Sequence, residues 1–374
     1  MSLVLTNATL VLPHATLHGT LHAANGQIAA VDSTHSNLPA AHDLAGDVLI
    51  PGAIDLHTDN LERQVQPRAG TRWPSRSAFL AHDAQCAAAG ITTVLDALCI
   101  GDLGFDEDRR RTCTDGIADL AALAPTGLLR ADHYLHLRCE LPAEGMIALL
   151  EPLARHPAVR LASLMDHTPG IGQYGDLARY RAMRLRDGET AAETERRIDL
   201  LQAQRARLRA PNRAALLALL HGHTKLASHD DRTLEEVAEN LADRIELAEF
   251  PTTLQAAGAA RAGGQQTVAG APNLVRGGSH TGNVAVQTLL AANLVDALAS
   301  DYVPCSLIEA AFLAAGMMGL PAAVRLITEA PARIAGFTDR GRIEPGLRAD
   351  LVRVRLHDGV PVVINVWRQG ERVI

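Results

Sequence analysis

Five apolar stretches of this sequence end in a histidine or a carboxylate, the side chains that hold divalent cations. The first end is Asp55-Leu-His57-Thr-Asp59. Alternate side chains of a strand share a face, so His57 and Asp59 point together and can grip one ion. Asp55 lies one step deeper and can orient His57. Alone, such a pair is better explained by a solvated strand end. The pattern recurs, however: HYLHLRCE ends at Glu140, SLMDH at His167, KLASH at His229 and DALASD at Asp301. Two histidines with a shared carboxylate would complete a second cation site beside the first. Two divalent ions about 3.5–4 Å apart can hold a hydroxide and polarise the bond it attacks. The competing explanation is a set of buried polar residues that satisfy one another.

A second constellation lies between Asn273 and Asn283, with Arg276, Gly277, Gly278, Ser279, His280 and Gly282. Glycines let backbone N–H groups approach anionic oxygens, while an arginine fork and hydroxyls add charge-assisted bonds. Arg63, Arg68 and Arg72 follow the first cation-binding strand and are candidates for the far end of an anion, or ordinary surface arginines. His14, His18 and His22 stand four apart, but in a strand-and-turn pattern, and read as exposed.

These side chains need a scaffold that brings many strand ends together. LIPGAIDLH, ITTVLDAL, HYLHLRCE, VRLASLMDH, TKLASHD, IELAEFPTT, QTVAGAP and LVDALASD read as strands alternating with helical stretches. Eight such units predict an α/β fold, a (β/α)₈ barrel over residues 51–340 whose strand C-terminal ends carry the site. Residues 177–220 exceed a normal crossover and predict a helical insertion with a solvated charged face. The first fifty residues are short strands with a turn at Asn25–Gln27, and the last thirty-odd repeat that character around His357–Gly359. Residues 1–50 and 341–374 are therefore expected to pair into one small β-sandwich domain.

Composition removes other classes. The 374 residues carry 35 Lys plus Arg against 42 Asp plus Glu, a net charge of −7, and 3% aromatics. A nucleic-acid or anionic-membrane binder would need a basic face. Five cysteines without a CxxC pattern suit reduced thiols. No apolar run is long enough to span a bilayer. A cytoplasmic location is expected.

Given these residues, PGAIDLHTD, the strand-end ligands and the closing GRIEPGLRADLV resemble the amidohydrolase superfamily over essentially the whole chain. More narrowly, DLHTDNLE, LRCE, LASHDD, APNLVRGGSHTGN and ASDYVP resemble one family within it. That family is the α-D-ribose 1-methylphosphonate 5-triphosphate diphosphatases of the carbon–phosphorus lyase pathway of phosphonate use. The resemblance implies that His57 and Asp59 hold one metal, Glu140 bridges, and His167 with His229 hold the second. Asp301 touches the first metal and takes the proton of the attacking water. Many superfamily members bridge instead with a carbamylated lysine. The only lysine here, Lys225, precedes His229 by four residues and should sit too deep. The implied cofactors are two divalent ions per chain, zinc first, with manganese, iron or cobalt as alternatives. The implied partner is a small-molecule triphosphate, met by Arg276, Gly277, Gly278, Ser279, His280, Arg63 and Arg68. Neither nucleic acid nor membrane is expected, and homo-oligomerisation is compatible with the sequence.

Two rival functions remain at this stage. One is C–N hydrolysis by a cyclic amidase or deaminase of the same superfamily, which a smaller, more apolar pocket would favour. The other is a non-enzymatic assembly protein that has kept the barrel, which need not retain six competent ligands.

Overall fold

In the computed structural model, which describes residues 2–68, 70–103, 107–279 and 282–374, all ten residues of the stretch ITTVLDALCI are buried. A strand covered on both faces carries such a run, and it belongs to a parallel sheet. The strands in chain order are β1 (Ser2–Val11), β2 (Thr16–Ala24), β3 (Gln27–Asp32), β4 (His42–Asp43), β5 (Val48–Pro51) and β6 (Ala53–Thr58). Then follow β7 (Ile91–Ile100), β8 (Asp132–Glu140), β9 (Val159–Met165), β10 (Lys225–His229), β11 (Leu247–Glu249), β12 (Gln266–Gly270) and β13 (Ala297–Ala299). The chain ends with β14 (Leu351–His357), β15 (Val360–Arg368) and β16 (Glu371–Arg372).

Strands β6 to β13 pair in sequence order, every neighbour parallel. The ring is closed where Thr58 bridges Asp301, with Asp301 N–H donating to His57 O at 2.9 Å and Asp59 N–H to Asp301 O at 3.1 Å. This is the (β/α)₈ barrel expected from the eight segments. Its lower interior is apolar: Ile54, Leu95, Leu161, Ala227, Leu247, Val268 and Ala297 pack together with Phe337. Two residues further along the same faces come Ser163, His229 and Glu249, so the interior turns polar toward the mouth.

The chain ends supply a second sheet, ordered β16-β15-β14-β5-β1-β2-β3, with β4 on β1. Its hairpins turn at Asn25-Gly26 and Asp358-Gly359, all four with positive φ, as a two-residue turn matched to strand twist requires. The barrel's long excursion is a pair of helices, Leu177–Arg186 and Ala191–Leu220, the second opened by a Thr190/Glu193 capping box. Its charged face is only partly solvated. Arg205 reaches Asp166 at 2.6 Å and Arg213 reaches Asp243 at 2.7 Å, because Ile198, Leu201, Leu216 and Leu220 bury the helix against the barrel. The five cysteines are unpaired, and among the described residues no helix is long and apolar enough to cross a membrane.

Candidate metal centre

At the barrel mouth lies a cavity of about 780 Å³. His57, Asp59, Glu140, His167, His229 and Asp301, each at or within two residues of the end of one of five strands, all line it. Ligand atoms of His57, Asp59 and Asp301 lie within 4.8 Å of one another, as do those of His167, His229 and Asp230. The second group contains Asp230, which sequence reasoning passed over although it follows His229 directly. Glu140 joins neither group. Its Oε1 accepts from the His167 backbone N–H at 2.9 Å and its Oε2 pairs with His167 Nδ1 at 2.5 Å.

The backbone aims these groups. Asp230, Phe250 and Asp301, each just past the end of β10, β11 or β13, have φ of 58, 53 and 55°. Non-glycine residues enter that region at an energetic cost, and such residues cluster at functional sites. Asp55 Oδ1 accepts from the N–H groups of His57 and Ser300 at 3.3 and 3.0 Å, which ties β6 to the β13 end.

A further carboxylate, Glu249, was not singled out by the sequence. It is buried at the end of β11, with Oε1 at 3.0 Å from His57 Nδ1 and Oε2 accepting from Ser163 Oγ at 2.7 Å. His136 and His229 each stand 3.8 Å from it. The signal was available: Glu249 ends IELAE as His229 ends KLASH. With Nδ1 held by Glu249, the Nε2 of His57 is left to face a cation, the arrangement that ligating histidines favour.

The electrostatics suit a cation. Burial works against charge on Asp59, but Arg138, His57 and Arg109 outweigh it and hold the carboxyl below its ordinary value. Burial and the neighbouring Asp59 lift Asp301 to about 7. Burial opposes charge on His229 too, yet Asp230 and Glu249 raise it to about 9. Asp59 Oδ1 and His229 Nδ1 are buried without a hydrogen-bond partner among the described residues. His229 Nδ1 is 3.0 Å from Asp230 Oδ2 but misaligned for a hydrogen bond. A buried carboxylate oxygen left without a donor, as Asp59 Oδ1 is, fits a positive ion.

Of the anion-binding candidates, Arg276, Gly278 and Ser279 line the cavity, whereas Gly277, exposed with φ of 74°, does not. His280 lies outside the described residues. Arg63 and Arg68 are exposed and do not line the cavity; Arg63 Nη1 instead donates to Tyr302 O at 2.6 Å. Two arginines that sequence reasoning missed do line it, Arg109 and Arg138. Lys225 sits at the far end of β10, with Nζ on Glu246 Oε1 at 2.9 Å.

The amidohydrolase family model matches residues 227–374. The chain is 43% identical, over 99% of its length and all of the relative's, to the alpha-D-ribose 1-methylphosphonate 5-triphosphate diphosphatase of Escherichia coli (strain K12). The fold is shared with N-acetyl-D-glucosamine-6-phosphate deacetylase from Mycobacterium smegmatis, at TM-score 0.64 and 16% identity, both chains covered completely. It is also shared with N-isopropylammelide isopropylaminohydrolase from Burkholderia multivorans, at TM-score 0.62 and 18% identity, covering 100% and 98% of the two chains.

Proposed function

The chain belongs to the family of alpha-D-ribose 1-methylphosphonate 5-triphosphate diphosphatases within the amidohydrolases, and from that premise we propose how its cavity works. The protein is a metal-dependent hydrolase that converts alpha-D-ribose 1-methylphosphonate 5-triphosphate and water to the 5-phosphate and diphosphate, a step in phosphonate use. One observation carries the mechanistic reading: a single cavity joins two groups of cation ligands to Arg276 and Ser279.

His57, Asp59 and Asp301 would hold one divalent ion; His167 and His229, with Asp230 beside them, would hold a second. Glu140 reaches that second site through His167. Zinc suits this mixture of imidazole and carboxylate, as do manganese, iron and cobalt. Such ions make water more acidic and neutralise charge that develops on phosphoryl oxygens. Asp301 accepts the proton of the attacking water, standing beside His57 and Asp59 in the cavity. The α–β anhydride P–O bond breaks, water supplies the new oxygen, and diphosphate leaves. Arg276 and Ser279 hold the departing phosphoryl oxygens by charge-assisted bonds. The protein acts in the cytoplasm on a small-molecule substrate.

A release panel tests this reading. Diphosphate should appear from the ribose phosphonate triphosphate faster than from ATP or GTP, with no cleavage of cyclic amides. Chelation should stop the reaction and added divalent metal restore it. Faster cleavage of a cyclic amide, or full activity in protein shown to be metal-free, would overturn it.

A further inference from the structure

Arg138 is buried at the edge of the cavity. It stands on β8 two residues before Glu140, so its side chain rises on the same face into the mouth. It is 7% exposed yet lines the cavity. Its Nη1 donates to Asp59 Oδ2 at 3.1 Å, and its Nε is buried without a hydrogen-bond partner among the described residues. Arg109 lines the same cavity, with Nε 3.2 Å from Glu62 Oε2 and the side chain about one-third exposed.

We propose that Arg138 and Arg109 form an inner subsite for the substrate's polyphosphate oxygens, and that a divalent ion on Asp59 releases Arg138 to it. This rests on the triphosphate reading above and names which residues receive the chain nearest the metals. Asp59 belongs to the His57–Asp301 group and to Arg138 at once. A cation there draws on the charge that holds the guanidinium. Asp59 could keep Oδ2 on Arg138 while its unpartnered Oδ1 meets the ion, but the ion's charge then opposes the guanidinium across the carboxylate. In either geometry a buried positive group loses part of its compensation, and an anion that reaches it restores the balance. The planar five-donor fork matches phosphoryl oxygens two at a time, and Arg109 beside Glu62 supplies a second fork. Arg276 is exposed at the rim, so the three guanidiniums run from surface to depth, as an extended polyphosphate chain would need. The arrangement makes anion binding follow metal loading.

The test titrates inorganic tripolyphosphate calorimetrically into the full-length protein. In the metal-free state, Asp59→Asn frees Arg138 without any metal and should tighten binding about ten-fold or more over wild type, the scale of one hydrogen bond to a charged group. Removing a negative charge would help any anion, so Asp59→Asn combined with Arg138→Met is decisive: the gain should vanish. If it survives, Arg138 is not the receptor and the proposal fails. Should the Arg138 variants not fold, Arg109→Ala in metal-loaded protein decides, with an expected loss of tripolyphosphate affinity of about ten- to a hundred-fold at unchanged metal content. Unchanged affinity in that variant overturns the subsite. Diphosphate release by wild type reports on the parent reading separately. A protein that releases diphosphate but passes neither arginine test keeps its function and loses this subsite. A metal-loaded wild type that neither binds tripolyphosphate nor releases diphosphate loses both.

Discussion

Replacing Glu249 by Gln keeps the shape of a fully buried carboxylate of the site and removes its charge. Burial works against that charge, but His57, His136 and His229 outweigh it and hold Glu249 below the usual carboxylate range, so it is anionic at neutral pH. A full charge pair at 3 Å would be worth about 5 kcal/mol at an effective dielectric constant near 20. A metal-ligating His57 is neutral, however, so the relevant quantity is a hydrogen bond to a charged acceptor, about 1.5–3 kcal/mol. That agrees with the ten- to hundred-fold (roughly 1.4–2.7 kcal/mol) typical when a partner behind a ligating histidine is lost. The His57 Nδ1 contact at 3.0 Å is the bond at stake. Glu249→Gln should therefore weaken metal affinity by about ten- to a hundred-fold, read by competition with a chromophoric chelator. Saturating metal should recover much of the hydrolysis. Near-UV circular dichroism of the metal-free variant checks that the fold survives. Wild-type metal affinity in a folded Glu249→Gln would refute the idea that this carboxylate orients His57.

Other outcomes follow from the same geometry. Asp301→Asn keeps the size but cannot take a proton, so turnover should fall about a hundred- to ten-thousand-fold while substrate affinity changes far less; wild-type turnover would place the base elsewhere. Arg276→Ala should lower kcat/KM for the triphosphate by about ten- to a hundred-fold at unchanged metal content, and a normal kcat/KM would remove it from substrate binding. A buried network behind the barrel wall should govern alkaline stability. His133 Nδ1 meets Asp96 at 2.9 Å and its Nε2 lies 3.3 Å from Asp83; burial opposes its charge, but these carboxylates raise its pKa to about 9. A folded pKa above the ordinary 6.5 means the contribution is complete below pH 6.5 and lost as pH rises through about 9. Denaturant unfolding should show wild type losing stability across that window, by about 3 kcal/mol from this group, and His133→Gln losing much less. Equal slopes in the two proteins would contradict the assignment.

Local chemistry carried much of this protein in its sequence. Eight β-branched or apolar runs are a local pattern, and each became a barrel strand because a short run covered on both faces is legible without knowledge of its partner strands. The Asn25-Gly26 and Asp358-Gly359 turns are equally local, since few residue pairs accept two positive φ values. His57, Asp59, His167, His229 and Asp301 were legible because a histidine or acid recurs around the ends of several apolar runs that one barrel mouth would gather. What the sequence could not decide was which of these side chains meet. Glu140 ends its strand as the others do, yet the turn after β9 places His167 against both of its oxygens, so it meets the second ligand group through that histidine. Arg63 and Arg138 were indistinguishable as residues from different segments: one is turned outward onto Tyr302 O, the other inward onto Asp59. Glu249 touches His57 across 192 residues of chain. Such contacts are fixed by barrel closure and stagger, which set the depth of each strand relative to its neighbours. Spacing along one strand gives the face a side chain takes; only the closed ring gives the side chain its partner.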